Sequence, residues 1–248
     1  MSHTVQEINV IWSLGKAHQR PKNTALPRKT LQLTTRLLDL QSLYTQSQLS
    51  QSLSRHLQTI SRSRLPITCI LSLGLGSLLV SRSQPRRLKQ LAILLVVRDY
   101  LEEGRNESIA VFAQDPNLTR VDEQFLISLG IQISRTPTGS ELGEAVSLIS
   151  PSTLVYSPFL TLEAYEQPMV GSELQYLLGD DFDELLQKWP ERSAERKQVE
   201  EVSRQGLSKY RRKAVAGEGF WIEDDETFPM AMYSKKNGGQ STQAKAGS

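Results

Sequence analysis

The sequence predicts an α/β fold: a Rossmann-like, doubly wound, mainly parallel sheet with an N-terminal amphipathic helix and a C-terminal helical and hairpin extension. Three observations predict it. Between about residues 65 and 180, short apolar runs alternate with helical patterns, an order that folds through right-handed crossovers into a parallel sheet. The first run, Ile67 to Leu73, is almost continuously apolar, as a strand covered on both faces must be. A glycine turn, Gly74-Leu75-Gly76-Ser77, follows it and leads toward a long helix.

Taken in order, residues 1–29 mix Pro, Lys, Gln and Thr without sustained periodicity, which predicts a flexible leader. From Thr30 onward Leu33, Leu37, Leu40 and Tyr44, then Leu49, Leu53, Leu57 and Ile60, recur at helical spacing and leave Gln, Ser and Arg outward. That is one amphipathic helix or two in series. Pro66 is expected to end it, because the residue before a proline avoids the helical region. After the first strand, the glycine turn and the basic stretch Ser81 to Arg87, a helix is expected from about Leu88 to Glu103.

The alternation then repeats. Ser108 to Ala113 reads as a strand, Val121 to Leu129 as a helix stopped by Gly130, and Ile131 to Ser134 as a strand. A short helix over Glu141 to Ile149 precedes a fourth strand, Thr153 to Ser157. Phe182 to Trp189 and Ser193 to Lys213 look helical. Phe220 to Ile222 and Phe228 to Ser234, joined by the acidic turn 223–226, suggest an antiparallel hairpin at the sheet edge. Residues 235–248 read as a disordered tail, so the ordered domain is expected over 30–234 with its core at 65–180.

A chain of 248 residues suits one such domain with appendages. Cys69 is the only cysteine, which excludes an internal disulfide and a multi-cysteine zinc site and fits a reducing compartment. The beginning of the chain lacks the pattern of a secretory signal, and no apolar run approaches the roughly 18 residues of a membrane span. A soluble cytoplasmic or nuclear protein is the expectation. Net charge is small but uneven: up to residue 89 there are 13 Lys and Arg against 2 acids, and beyond it 25 acids against 16 bases. The basic part, with Arg55, Arg62, Arg64, Arg82, Arg86 and Arg87, reads as a solvated leader and helix face. Without interleaved aromatic residues it does not favour nucleic acid.

The glycine turn is the first functional candidate. At the carboxyl end of a first strand, missing side chains let backbone N–H groups approach an anion. Gly74, Gly76 and Ser77 hold that position, but the G-x-G-x-x-G pattern fails at Leu79 and the lysine of a P-loop is absent. A tight structural turn is the competing reading. The second strand ends in Gln114-Asp115-Pro116, and a carboxylate there is where Rossmann-type sites hold ribose hydroxyls. An Asp-Pro turn competes with that reading. Tyr156 and Ser157, at the end of the fourth strand, are expected to line the same pocket.

Catalytic groups are scarcer. His3, His18 and His56 all precede the core, and no base is recognisable for Ser157 as a nucleophile. Asp180, Asp181, Asp183 and Glu184 read as an acidic first helical turn rather than a metal site, and Cys69 as core packing.

Together these landmarks resemble the sensitivity-to-red-light-reduced family. Leu73 to Ser77 matches its Leu-Gly-Leu-Gly-Ser run, and Gln90 to Leu94 its Gln-Leu-Ala-rich helix. Asp115-Pro116, Leu129-Gly130 and the strand end Tyr156-Ser157-Pro158-Phe159 follow in the family's order, over roughly residues 50 to 185. Phe159 stands where the family often has histidine, and Gly179-Asp180-Asp181-Phe182 replaces a Gly-Asn-Ser-Phe type segment. The resemblance implies a Rossmann-like domain tied to regulation, including light and clock signalling and haem metabolism, without a settled reaction.

The expectation is therefore a regulatory protein that binds a small anionic or nucleotide-like ligand, with S-adenosylmethionine, a nucleotide or haem as candidate cofactors. Gly74, Gly76 and Ser77 would contact the anion through backbone groups, Asp115 a hydroxyl, and Tyr156 with Ser157 the pocket wall. Two alternatives stand beside it: an S-adenosylmethionine-dependent methyltransferase, and an interaction scaffold meeting a protein partner through the N-terminal helix.

Overall fold

The computed structural model describes residues 28–63, 65–79, 83–136, 142–169, 173–222 and 229–236. Helices α1 (Arg28–Thr45) and α2 (Gln48–Ser61) lead into strand β1 (Cys69–Leu73) and the long helix α3 (Gln84–Glu102). Strand β2 (Ala110–Gln114), α4 (Arg120–Ser128), β3 (Ile131–Ile133), a 3-10 turn (Gly143–Leu148) and β4 (Thr153–Ser157) continue the chain. Then come α5 (Leu162–Met169), β5 (Tyr176–Asp180), α6 (Phe182–Lys188), α7 (Ala194–Val202), a π-helical turn (Ser203–Leu207), β6 (Tyr210–Val215) and β7 (Met230–Lys235).

The strands form one sheet in the order β3-β2-β1-β4-β5-β7-β6. Strands β1 to β5 are parallel, while β7 runs antiparallel to both neighbours. This is the doubly wound α/β architecture expected, and the two-residue period of the strands sorts its two cores. Ile70, Leu154, Tyr156 and Leu178 face the layer of α1 to α4, whereas Leu71, Leu73, Val155 and Leu177 face α5 to α7.

Helix α3 is buried around most of its circumference, from Leu88 through Leu95. A helix that is apolar on nearly all sides needs cover on both. Here α1 and α2 supply the outer cover through Leu33, Leu37, Leu53 and Leu57, and the sheet supplies the inner one. Ser47 separates the two outer helices, and its hydroxyl accepts from Ser50 N at 3.1 Å as the α2 cap.

Several expectations are corrected. Helix α2 stops at Ser61, well before Pro66, where the Arg62 amide caps back onto Ile60. Strand β5 and helix α5 were not anticipated. The former is short and ends in Gly179-Asp180, and the latter has eight residues with Pro168 inside, so neither carries a strong periodic signal. The expected helix over Ser193 to Lys213 ends at Val202, and Tyr210–Val215 is a strand. That strand, not Phe220 to Ile222, pairs with β7, so β7 lies inside the sheet and β6 forms the edge. Residues 1–27 of the leader, 237–248 of the tail, Arg64, Arg82 and the acidic turn lie outside the described residues. Among the described residues no helix is long and apolar enough to cross a membrane.

Candidate ligand cleft

Doubly wound sheets open a crevice at the carboxyl ends of their strands, where the strand order reverses. In this sheet the reversal falls between β1 and β4. A cleft of about 460 Å³ opens there, lined by the glycine turn after β1, the first turn of α3, the end of β2, and Phe159 to Thr161 after β4.

The glycines are required by the backbone. Gly74 and Gly76 have φ of 74° and 70°, a region that side-chain-bearing residues rarely adopt. A Cβ on Gly74 would also stand 2.9 Å from Leu160 Cδ1, and one on Gly76 2.6 Å from the Arg87 guanidinium carbon. Their amides, however, are engaged inside the protein. Gly74 N donates to Gln114 O at 3.2 Å and Gly76 N to Asp115 Oδ2 at 2.8 Å. Further along the turn, Leu78 N donates to Asp122 Oδ1 at 2.9 Å and Leu79 N to Ser77 Oγ at 3.2 Å. The expected anion cradle of Gly74, Gly76 and Ser77 is corrected at the two glycines: their amides hold the turn to the end of β2, and the turn presents its bare surface to the cleft.

Two carboxylates brace the turn. Asp122, buried, also accepts from Thr119 N and Thr119 Oγ1, closing the capping box of α4. Asp115 accepts from Gly76 N with one oxygen and from Asn117 N at 2.7 Å with the other. An ionised carboxylate has about four lone-pair sites, so each Asp115 oxygen keeps acceptor capacity beside the cleft it lines. The Asp-Pro turn and a cleft-facing carboxylate are thus compatible features of one residue.

On the other side stand two cations from α3. Arg87 Nη1 donates to Ser77 O at 2.5 Å, and the Arg86 guanidinium lies 5.2 Å from the centroid of the Phe159 ring. Phe159 in turn meets Trp221 edge to face at 6.1 Å.

Tyr156 and Ser157 do not line the cleft. β4 alternates faces, so Tyr156 turns into the α3 core and donates from its hydroxyl to Gln90 O at 2.8 Å. Ser157 is fully buried, and its Oγ finds no hydrogen-bond partner among the described residues. Both residues support the site from beneath. Gln90, which sequence reasoning did not assign to the site, lines the cleft and donates from Nε2 to Pro158 O at 3.2 Å. A glutamine directly before the apolar run Leu91 to Val97 is the signal that marks it.

Asp180 is also redirected. It lies buried beneath Phe159, whose amide donates to both of its oxygens at 3.0 Å and whose φ is 69°. The Tyr165 hydroxyl contacts Asp180 Oδ2 at 3.0 Å, accepts from Asp180 N at 3.0 Å, and donates to Ser157 O. Burial pushes the Asp180 carboxyl up to about 7, against the lowering effect of the Phe159 amide, Tyr165 and Arg86. Asp181 has a separate task, capping α6 at Asp183 N and pairing bidentately with Arg212 of β6. Cys69, half-buried, has its thiol pKa raised by desolvation.

Fold and cleft define a Rossmann-like domain with a single polar-rimmed crevice at its switch point among the described residues. The SRR1 domain model (sensitivity to red light reduced) matches residues 45–232, and the chain belongs to this family. No functionally curated protein matches the sequence. Among solved structures, cofactor-bound Rv0187 from MTB is similar at 10% identity and a TM-score of 0.41, covering 83% of this chain and 91% of that one. Thermoplasma acidophilum 1320 is similar at 10% identity and a TM-score of 0.36, covering 81% of this chain and 97% of that one. Likeness at this level says nothing of ligand or activity.

Proposed function

We propose that the chain is a regulatory SRR1-domain protein whose cleft binds a small nucleotide-like ligand. The observation that carries this reading is Asp115 at the tip of β2, lining the crevice with acceptor capacity to spare beside the side-chain-free glycine turn. A carboxylate there suits a pair of ribose hydroxyls. Arg86 and Phe159 offer a cationic and aromatic wall for the remainder of the molecule. The family's ties to light and clock signalling and to haem metabolism give this binding its regulatory setting.

Calorimetric titration with S-adenosylmethionine, NAD, ATP and haem tests the reading. One of them is expected to bind saturably to the wild-type protein and at least tenfold more weakly to Asp115→Asn, a variant that preserves shape and one acceptor. Heat signals indistinguishable from dilution for all four ligands overturn the assignment.

A second reading, a methyltransferase-like enzyme using S-adenosylmethionine, is favoured by the strand order with its single reversed strand, β7, beside the edge. It requires methyl transfer to an acceptor, read as labelled product, whereas a regulatory binder shows saturation without turnover. Fold alone does not choose between them, because one fold hosts many chemistries.

A further inference from the structure

Among the described residues Phe159 is the one residue other than glycine with a positive φ, and it stands on the wall of the cleft. A side-chain-bearing residue keeps such a conformation only where its surroundings hold it there. Asp180 does so: the Phe159 amide is shared between both carboxyl oxygens at 3.0 Å, while the Arg86 guanidinium lies 5.2 Å from the centroid of the Phe159 ring. One backbone hydrogen bond thus ties the cleft wall to a buried acid.

The groups around that acid suit its neutral form. Tyr165 of α5 gives its single hydrogen to Ser157 O and so accepts from a protonated Asp180. Tyr156 of β4 is committed to Gln90 O, and Tyr233 of β7 donates to the main-chain oxygen of Asp180. The neighbouring Asp181 is paired with Arg212 of β6. A buried carboxylate stays ionised when two or three N–H groups or a close cation serve it. Asp180 has one shared N–H, and Arg86 of α3, the cation that acts on it, rests over the Phe159 ring.

Nor is there slack beneath. Asp180 and Tyr165 are buried, and a Cβ on Gly179 would stand 2.8 Å from the Tyr165 hydroxyl oxygen. The side on which an ionised Asp180 gains water or a closer approach of Arg86 is that of Phe159, which lines the cleft.

We infer that Asp180 is a proton switch beneath the cleft. Neutral, it holds Phe159 in its left-handed conformation with Arg86 over the ring; ionised, it draws Arg86 inward and displaces Phe159, so that the cationic and aromatic wall of the cleft changes with pH. Burial raises this carboxyl to about 7, which places the change near neutrality. The switch needs no ligand and so goes beyond the binding reading.

Trp221, edge to face with Phe159 at 6.1 Å, reports the state of the wall. In the full chain carrying Trp12→Phe and Trp189→Phe it is the only tryptophan. Its emission is expected to shift in one step centred near pH 7, and adding Asp180→Asn is expected to abolish that step. Asp180→Asn keeps all three histidines, so a step that persists in it belongs to another group and overturns the inference. Arg86→Gln leaves the acid in place but removes the cation that favours its ionisation, and should move the midpoint up by roughly half a pH unit or more. An unchanged midpoint shows that the acid and the wall are not coupled, and an emission flat across neutral pH in the parent protein overturns the switch outright. No ligand enters these titrations, so each outcome is independent of the calorimetric test of binding.

Discussion

The hydrogens around Tyr165 bear on the protonation of its neighbour. A phenol has one hydrogen, and Ser157 O takes it, yet the Tyr165 oxygen also lies 3.0 Å from Asp180 Oδ2. A protonated Asp180 resolves the conflict by donating to Tyr165, which then accepts from Asp180 N as well. This agrees with the elevated pKa of about 7. An unfolded aspartate titrates near 3.9, so between roughly pH 4 and 7 the folded state holds a proton that the unfolded chain has released. Stability from this group is full below about pH 4 and falls as pH rises through about 7, by on the order of 4 kcal/mol. Asp180→Asn keeps an acceptor for the Phe159 amide and adds a donor for Tyr165. Denaturant unfolding at successive pH values should show this variant losing much less stability than wild type between pH 4 and 7. Parallel profiles would place the proton elsewhere. Legibility at this scale was uneven. The place of Asp115 at the cleft was readable because it ends a strand of the parallel sheet, whereas Asp180 read as a helix-start acid because adjacent acids mark N-termini and burial leaves no sequence trace. Tyr156 was misplaced for a different reason: a two-residue period places a strand's side chains on alternate faces but does not say which face a terminal residue takes.

At the scale of elements, the segments that escaped sequence reasoning are those whose own residues carry no strong periodic or apolar signal. Strand β6, Tyr-Arg-Arg-Lys-Ala-Val, carries charges because it is an edge, and charged edges resist pairing with other chains. That same charge made it resemble the end of a solvated helix. Its register is tied to α6 by Arg212, whose guanidinium neutralises the buried Asp181 carboxylate. Arg212→Met should destabilise the protein by about 3 to 5 kcal/mol, because an unpaired buried carboxylate remains. The double variant with Asp181→Asn should recover much of that loss in chemical unfolding; additive losses would show that the pair is not coupled. The connection after β6 is equally constrained. Gly217 has φ of 147°, and a Cβ there would lie 2.5 Å from the backbone of Gln48 and Leu49 in α2. Gly217→Ala must therefore push the segment off α2, and a loss of about 2 to 4 kcal/mol in thermal unfolding is expected. By contrast, β1 and β4 were legible from their apolar runs and α4 from its helical pattern and the stop at Gly130, since their signals are local.

For the molecule as a whole, the decisive feature is that the N-terminal helices complete the core on one face of the sheet. Their spacing was plain in the sequence, but the surface they cover was not, because periodicity reports a face and never its partner. The apolar circumference of α3 supplies that partner, and Leu37, Leu53 and Leu57 of α1 and α2 join a single cluster with Ile70, Leu154 and Leu178 of the sheet. A detachable recognition arm would leave such residues outside the core. Any partner of this layer must therefore meet its outer surface, where Leu31 and Leu38 are 60% and 58% exposed, and not the buried stripe. The two roles separate by substitution. Leu53→Ala should cost about 2 to 5 kcal/mol and lower one cooperative unfolding transition monitored by both circular dichroism and tryptophan fluorescence. Leu38→Ala should stay within about 0.5 kcal/mol of wild type. If Leu53→Ala instead produced two separated transitions, α1 and α2 would be an independently melting layer, and the cleft, whose Arg86, Arg87 and Gln90 all project from α3, would keep its form after that layer had melted. A single transition ties the cleft's cationic wall to the integrity of the N-terminal helices, so that a change on their outer face has a mechanical route to the cleft.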